Sequence, residues 1–100
     1  MEKTKKAASI RLGLHVGQAV LIRTATYHYT GRIAALSAEF ITLLEAAWIA
    51  DTGRYHHTFA VGFDRNAEIE PYPVALPVHI ALGAIVEVAE WPHLLPTTVQ

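Results

Sequence analysis

VLIRTATYHYTGRIAALSAEFITLLEAAWI, residues 20–49, decides the fold of this chain. Val20, Leu21 and Ile22 with the threonines that follow are strand formers, and they predict a first strand over 18–26. Tyr27, Tyr29, Ile33 and Ala35 alternate with polar neighbours and predict a second strand over 27–36. Gly31 lies on the same face as that apolar series. A glycine inside a strand lets the backbone bend sharply or another chain segment approach closely. Ser37-Ala38-Glu39 reads as a turn, and FITLLEAAWI, over 40–49, as a third strand with apolar residues on both faces. Burial on both sides suits a strand in the middle of a barrel or one that meets a second subunit.

Outward from this stretch the pattern thins. Residues 1–17 open on a lysine cluster, and Ala7, Ile10 and Leu14 fall near one helical face. They predict a basic arm and a short helix that Gly17 ends. Asp51-Thr52-Gly53 is a turn signal. Residues 51–77, punctuated by Pro71, Pro73 and Pro77, are expected to form a long variable loop. Strands over 78–82 and 85–89 flank a tight Gly83-Ala84 turn, and 91–100 reads as an extended strap. The expected product is one domain: a mainly β, five-stranded, strongly bent small barrel with a short N-terminal helix.

The bulk composition narrows the function classes. The chain has 100 residues, 52% hydrophobic and 17% charged, enough apolar matter for a core and a surplus for burial between subunits. The formal charge of −1 argues against a whole-surface grip on nucleic acid. No cysteine is present, which excludes disulfides and thiolate metal sites. No apolar run approaches the roughly 20 residues of a membrane span, and the basic start does not lead into a signal-peptide core. A cytoplasmic protein with no membrane partner is the expectation.

The strand order resembles the Sm-like fold: a helix, three bent strands, a variable loop, then two short strands joined by a Gly turn. Gly31, Ile33, Leu36, Ser37 and Phe40 to Leu44 resemble the first signature of that family, and Ile80 to Val88 the second. RNA-binding members carry Asp at the position of Ser37, Asn at that of Ile41 and Arg at that of Leu82. The aliphatic residues here remove the family's uridine pocket. The resemblance implies a ring in which the fourth strand of one subunit pairs with the fifth of the next. Val78, Ile80, Leu82, Ile85, Val86 and Val88 would then form the interface. A fainter resemblance, carried by Val20, Arg23, Thr24, Gly31, Ala47, Gly53, Ala84 to Val88 and Trp91, is to small phage and prophage proteins.

Candidate ligand residues are few. Arg23, Tyr27, His28, Tyr29 and Arg32 put aromatic and basic groups together, a combination that can stack and hold bases. Arg23 is equally suited to an inter-subunit ion pair with Glu45 or Glu87. His56 and His57 are adjacent, so on a strand they would point apart and not chelate as a pair. Asp51-Thr52-Gly53 invites comparison with aspartic proteases, but the glycine-rich flap is missing. No Walker loop, GxSxG or HExxH motif appears. The expectation is a non-enzymatic Sm-like protein without cofactor or metal, forming a homo-oligomeric ring, a hexamer or close to it, with a structural or adaptor role in a phage setting. The alternatives are an Sm/Hfq-like protein that binds RNA through a non-standard surface, and a small enzyme using the Asp51 turn or the histidines.

Overall fold

The computed structural model describes residues 13–100. The expected N-terminal helix falls chiefly on residues 1–12, outside the described part. Over 13–17 the chain turns, with positive φ at Gly13 and Gly17, and Leu14 between them is buried in the core.

Three strands follow: β1 (Ala19–Thr24), β2 (His28–Leu36) and β3 (Phe40–Asp51). A helix, α1 (Tyr55–Val61), and a short strand, β4 (Glu68–Pro71), come next. The chain then forms β5 (Val78–Ala81), a single 3-10 turn (Leu82–Ala84) and β6 (Ile85–Glu90). The stretch 51–77, expected as a loop, therefore contains both a helix and a strand. All six strands belong to one antiparallel sheet in the order β4-β3-β2-β1-β6, with β5 also attached to β3.

The protein is mainly β, as expected, but two particulars differ from the five-stranded barrel. Among the described residues there are six strands, and their sheet is not closed. Consecutive β5 and β6 do not pair with each other: β5 pairs with the first half of β3, through Phe40↔Ala81 to Leu43↔Val78. β6 pairs with β1, through Val20↔Glu90 to Thr24↔Ile85. The 3-10 turn sends the chain from one side of the sheet to the other.

β3 serves two partners because it bends. Its first half carries β5, and Ala47 to Asp51 carry β4. Between these halves the register with β2 slips: Thr30 faces Ala47 while Arg32 faces Leu44, so β3 holds one residue more than β2 there. This is a β-bulge, which kinks a strand and strengthens its twist. Glu45, inside the bulge, has φ of 53°, a left-handed conformation that costs a non-glycine residue about 1–2 kcal/mol. Its amide donates to the carbonyl of Val74, anchoring the chain that returns from β4.

The core lies on both faces of the sheet. On one, Leu14, Val20, Ile22, Ile33, Ile41, Leu43, Ala46 and Ile80 form a contiguous cluster. On the other, Ala47 and Ile49 pack with Ala67 and Ile69, and Phe63 covers them. Each fully buried aliphatic side chain contributes roughly 1.5–3 kcal/mol. The two-sided burial expected of the third strand is present only over 46–49, where 63–69 supply the second layer; Phe40 is exposed and Thr42 and Leu44 are half-buried.

Candidate functional site

The expected ligand-binding residues do not come together as one open basic surface. Arg23 of β1 faces Glu87 of β6 across the ladder, and its Nε donates to Glu87 Oε1 at 2.6 Å. Arg32 Nε donates to Glu45 Oε2 at 3.0 Å, and its Nη1 to the carbonyl of Gly17 at 3.2 Å. Both guanidinium groups are thus answered within the chain. The pairs are about half exposed, so each is worth at most about 1 kcal/mol of stability. Each nevertheless brings a carboxylate beside the guanidinium, which offsets its charge towards a phosphate.

The aromatic members separate between faces. Tyr27, exposed at the β1–β2 turn, lies against Trp48 with ring centres 4.7 Å apart. Tyr29 packs against the main core, and burial, with Tyr72 and Tyr27 adding to it, raises its hydroxyl above the ordinary tyrosine pKa. His28 alternates with Tyr29 and so points to the opposite face, where its Nε2 lies 2.6 Å from Tyr55 Oη on α1. Burial first, then Arg23, lowers the His28 pKa below the usual imidazole value, while Glu87 and Asp51 oppose the shift. Burial also raises Tyr55. His56 and His57 lie on α1 rather than in a loop or strand; His57 Nε2 is 3.7 Å from Asp64 Oδ2. Among the described residues no three His, Asp or Glu side chains are placed to hold a metal ion.

Residues 13–100 hold four arginines (Arg23, Arg32, Arg54, Arg65) and no lysine. Against them stand eight carboxylates: Glu39, Glu45, Asp51, Asp64, Glu68, Glu70, Glu87 and Glu90. A surface with this balance repels a polyanion at long range. The lysines of the chain all lie in the first six residues.

Asp51 ends β3, and its carboxylate Oδ1 accepts the Gly53 amide at 2.9 Å. Gly53 takes φ of 76°, and Thr58 Oγ1 donates to the Thr52 carbonyl at 2.6 Å. These bonds make the Asp-Thr-Gly sequence the lead-in to α1, with the aspartate holding its own turn.

Sequence reasoning missed the assembly formed by α1 and the segment after β6. Phe63 stacks on Trp91 at 4.6 Å, Phe59 meets the same indole edge-on at 5.6 Å, and Tyr55 meets Phe59. The Trp91 indole N–H donates to the Leu94 carbonyl, and His93 Nε2 lies 2.8 Å from the Phe59 carbonyl, which can only accept. Farther on, Gln100 exchanges both backbone hydrogen bonds with Ile69 of β4. An open groove of about 830 Å³ runs beside this strap, between Phe63, Ile69, Trp91 and Leu95. The helical spacing of Tyr55 and Phe59, and the large apolar Trp91 of the expected strap, were the signals in the sequence.

The expected interface residues divide unequally. Ile80 is buried in the protein's own core, and Val78, Leu82, Ile85 and Val88 pack against it. Val86, displaced by a register slip in β6, is 55% exposed. Among the described residues, what β5 and β6 leave open is backbone. The Leu82 amide donates to Glu39, so the antiparallel alternation bonds Ile80 and Val78 to β3 and turns the N–H and C=O groups of His79 and Ala81 away. The Trp91 amide donates to Ala19, which likewise turns those of Val88 and Glu90 away from β1. No protein-family model, curated protein or solved structure matches the chain.

Proposed function

We propose that this protein is a non-enzymatic, Sm-like assembly protein in which β5 of one copy adds to β6 of the next, closing a homo-oligomeric ring with a structural or adaptor role. The observation that carries the reading is the pair of strand edges on either side of the Leu82–Ala84 turn, left without a strand partner among the described residues. His79 and Ala81 offer backbone groups on one, Val88 and Glu90 on the other. Exposed strand edges recruit another strand unless something blocks them. Two different edges on one subunit make a head-to-tail contact, which closes into a ring when the rotation permits. A hexamer and a phage setting remain part of the proposal on the strength of the sequence resemblance. The RNA-binding alternative draws no support from Arg23 and Arg32, each paired with a glutamate.

Light scattering coupled to size exclusion tests the reading. One discrete homo-oligomer of several subunits is expected at micromolar concentration. A strict monomer overturns it.

A further inference from the structure

We propose that α1 is an acid-released clasp: the neutral imidazole of His28 holds the helix to the sheet, and protonation of that ring frees it.

The geometry favours the neutral state of His28. Nε2 is bonded to Tyr55 Oη at 2.6 Å, and the two rings meet edge-on with centres 5.6 Å apart. Nδ1 is buried and has no partner among the described residues. A neutral imidazole carries one N–H, whereas the cation carries two. Charging the ring in place therefore buries a second N–H without an acceptor, one of the costlier defects a folded chain can hold. The groups facing the ring are Tyr55 from α1, Arg23 from β1, Glu87 from β6 and Asp51 from β3. Arg23 opposes a second positive charge and the two carboxylates favour it; burial and Arg23 prevail, so the pKa falls.

The sign follows from linkage. The closed state binds a proton on His28 less readily than a state in which water reaches the ring. Closure is therefore fully favoured above the ordinary histidine pKa and loses ground as pH falls through it towards the lowered value.

The helix is built to respond. It has seven residues, no side-chain cap, no acidic residue in its first turn and no basic one in its last. A helix so short does not persist without tertiary contacts. Its other tethers are the Thr58 bond to Thr52, the Phe59 ring on Trp91 and the bond from His93 to the Phe59 carbonyl. The His93 bond survives protonation, because Nε2 keeps its hydrogen in the cation. His28 differs in its other nitrogen: the Nδ1 hydrogen of the cation finds no acceptor among the described residues, so the charged ring favours the open state even though Nε2 could still donate to Tyr55.

Amide exchange on the full chain, followed by NMR between pH 7.5 and 5, tests this. The Thr58 and Gly62 amides, which close the helix onto Arg54 and Thr58, are expected to lose protection at least tenfold relative to β2 amides, after correction for intrinsic exchange. His28→Phe, which keeps a ring against Tyr55 but takes no proton, is expected to abolish that pH response. Tyr55→Phe, which leaves the imidazole buried, is expected to retain it. The clasp is overturned if helix and sheet amides respond alike, or if the His28→Phe response matches the parent. Should His28→Phe not fold, the ring titration of His28 in the parent decides: its midpoint is expected to coincide with that of helix release, and a mismatch overturns the proposal.

Discussion

A Cβ built on Gly31 would stand 2.9 Å from the Cβ of Leu43, closer than real side chains come. Leu43 is fully buried at the centre of the main core, and Gly31 lies on β2 between the residues that flank the bulge. The bent sheet brings β2 and β3 so near at this point that only a bare backbone fits.

Gly31→Ala should therefore destabilise the protein, although Ala ordinarily suits a strand interior better than Gly. The clash is with the root of Leu43, which cannot rotate away, so a cost of about 1–3 kcal/mol is expected from overpacking. Urea unfolding measures it. A variant as stable as the parent would mean that the strands can part without loss.

Glu45 gives a prediction of opposite sense. Its φ of 53° strains any side chain, while the ion pair with Arg32 is solvent-exposed. Glu45→Ala and Glu45→Gly both lose the pair, and only the glycine relieves the strain. Glu45→Gly is expected to be more stable than Glu45→Ala by about 1 kcal/mol. Denaturation midpoints of the two, compared directly, check the sign.

The edge of β5 can be blocked without disturbing the ladder behind it. Ala81 has φ of −66°, the value proline requires, and its N–H points away from β3. Ala81→Pro is expected to keep the melting temperature of the isolated subunit and to weaken assembly at least tenfold, by removing a donor and adding bulk at the edge. Light scattering across a dilution series reads the second effect and circular dichroism the first. Unchanged assembly would place the contact elsewhere.

Trp91 is 3% exposed and joins Phe59, Phe63 and His93 around one indole. Trp91→Ala is expected to cost about 3–5 kcal/mol. The loss should fall on α1 and the strap first, visible as faster proteolysis over 55–63 and 92–100 than within β1 to β3.

Alternation and turn chemistry made much of the sheet legible: the three strands after Gly17, the turn at Ser37, the special place of Gly31 and the tight connection before Ile85. These are local signals, written within a few residues. What escaped the sequence has its cause elsewhere in the chain. The helix Tyr55–Val61 has no cap or charge pattern of its own and exists because Trp91 and His28 receive its aromatic face. β4 offers one buried side chain, Ile69, in a run that ends at Pro71. Glu87 was one of two partners expected for Arg23, but as a residue of a neighbouring subunit; the pair forms within the chain across sixty-four positions, and Glu45 goes to Arg32 instead. The open sheet could not be read either, because closure depends on whether β5 meets β6, and the sequence between them records only a turn.

That β1 pairs on one side with β2 and on the other with β6 also sets a pace. The hairpin of β1 and β2 can form as soon as both exist, whereas the second ladder must wait for a chain loop of more than sixty residues to close. Closing loops of that length before any contact rewards the search is what slows the folding of β-rich domains. The protein should fold in milliseconds to seconds, with the β1–β6 ladder as its last step. Until then β1 presents one bare, strongly apolar edge, the segment most exposed to pairing with the wrong chain.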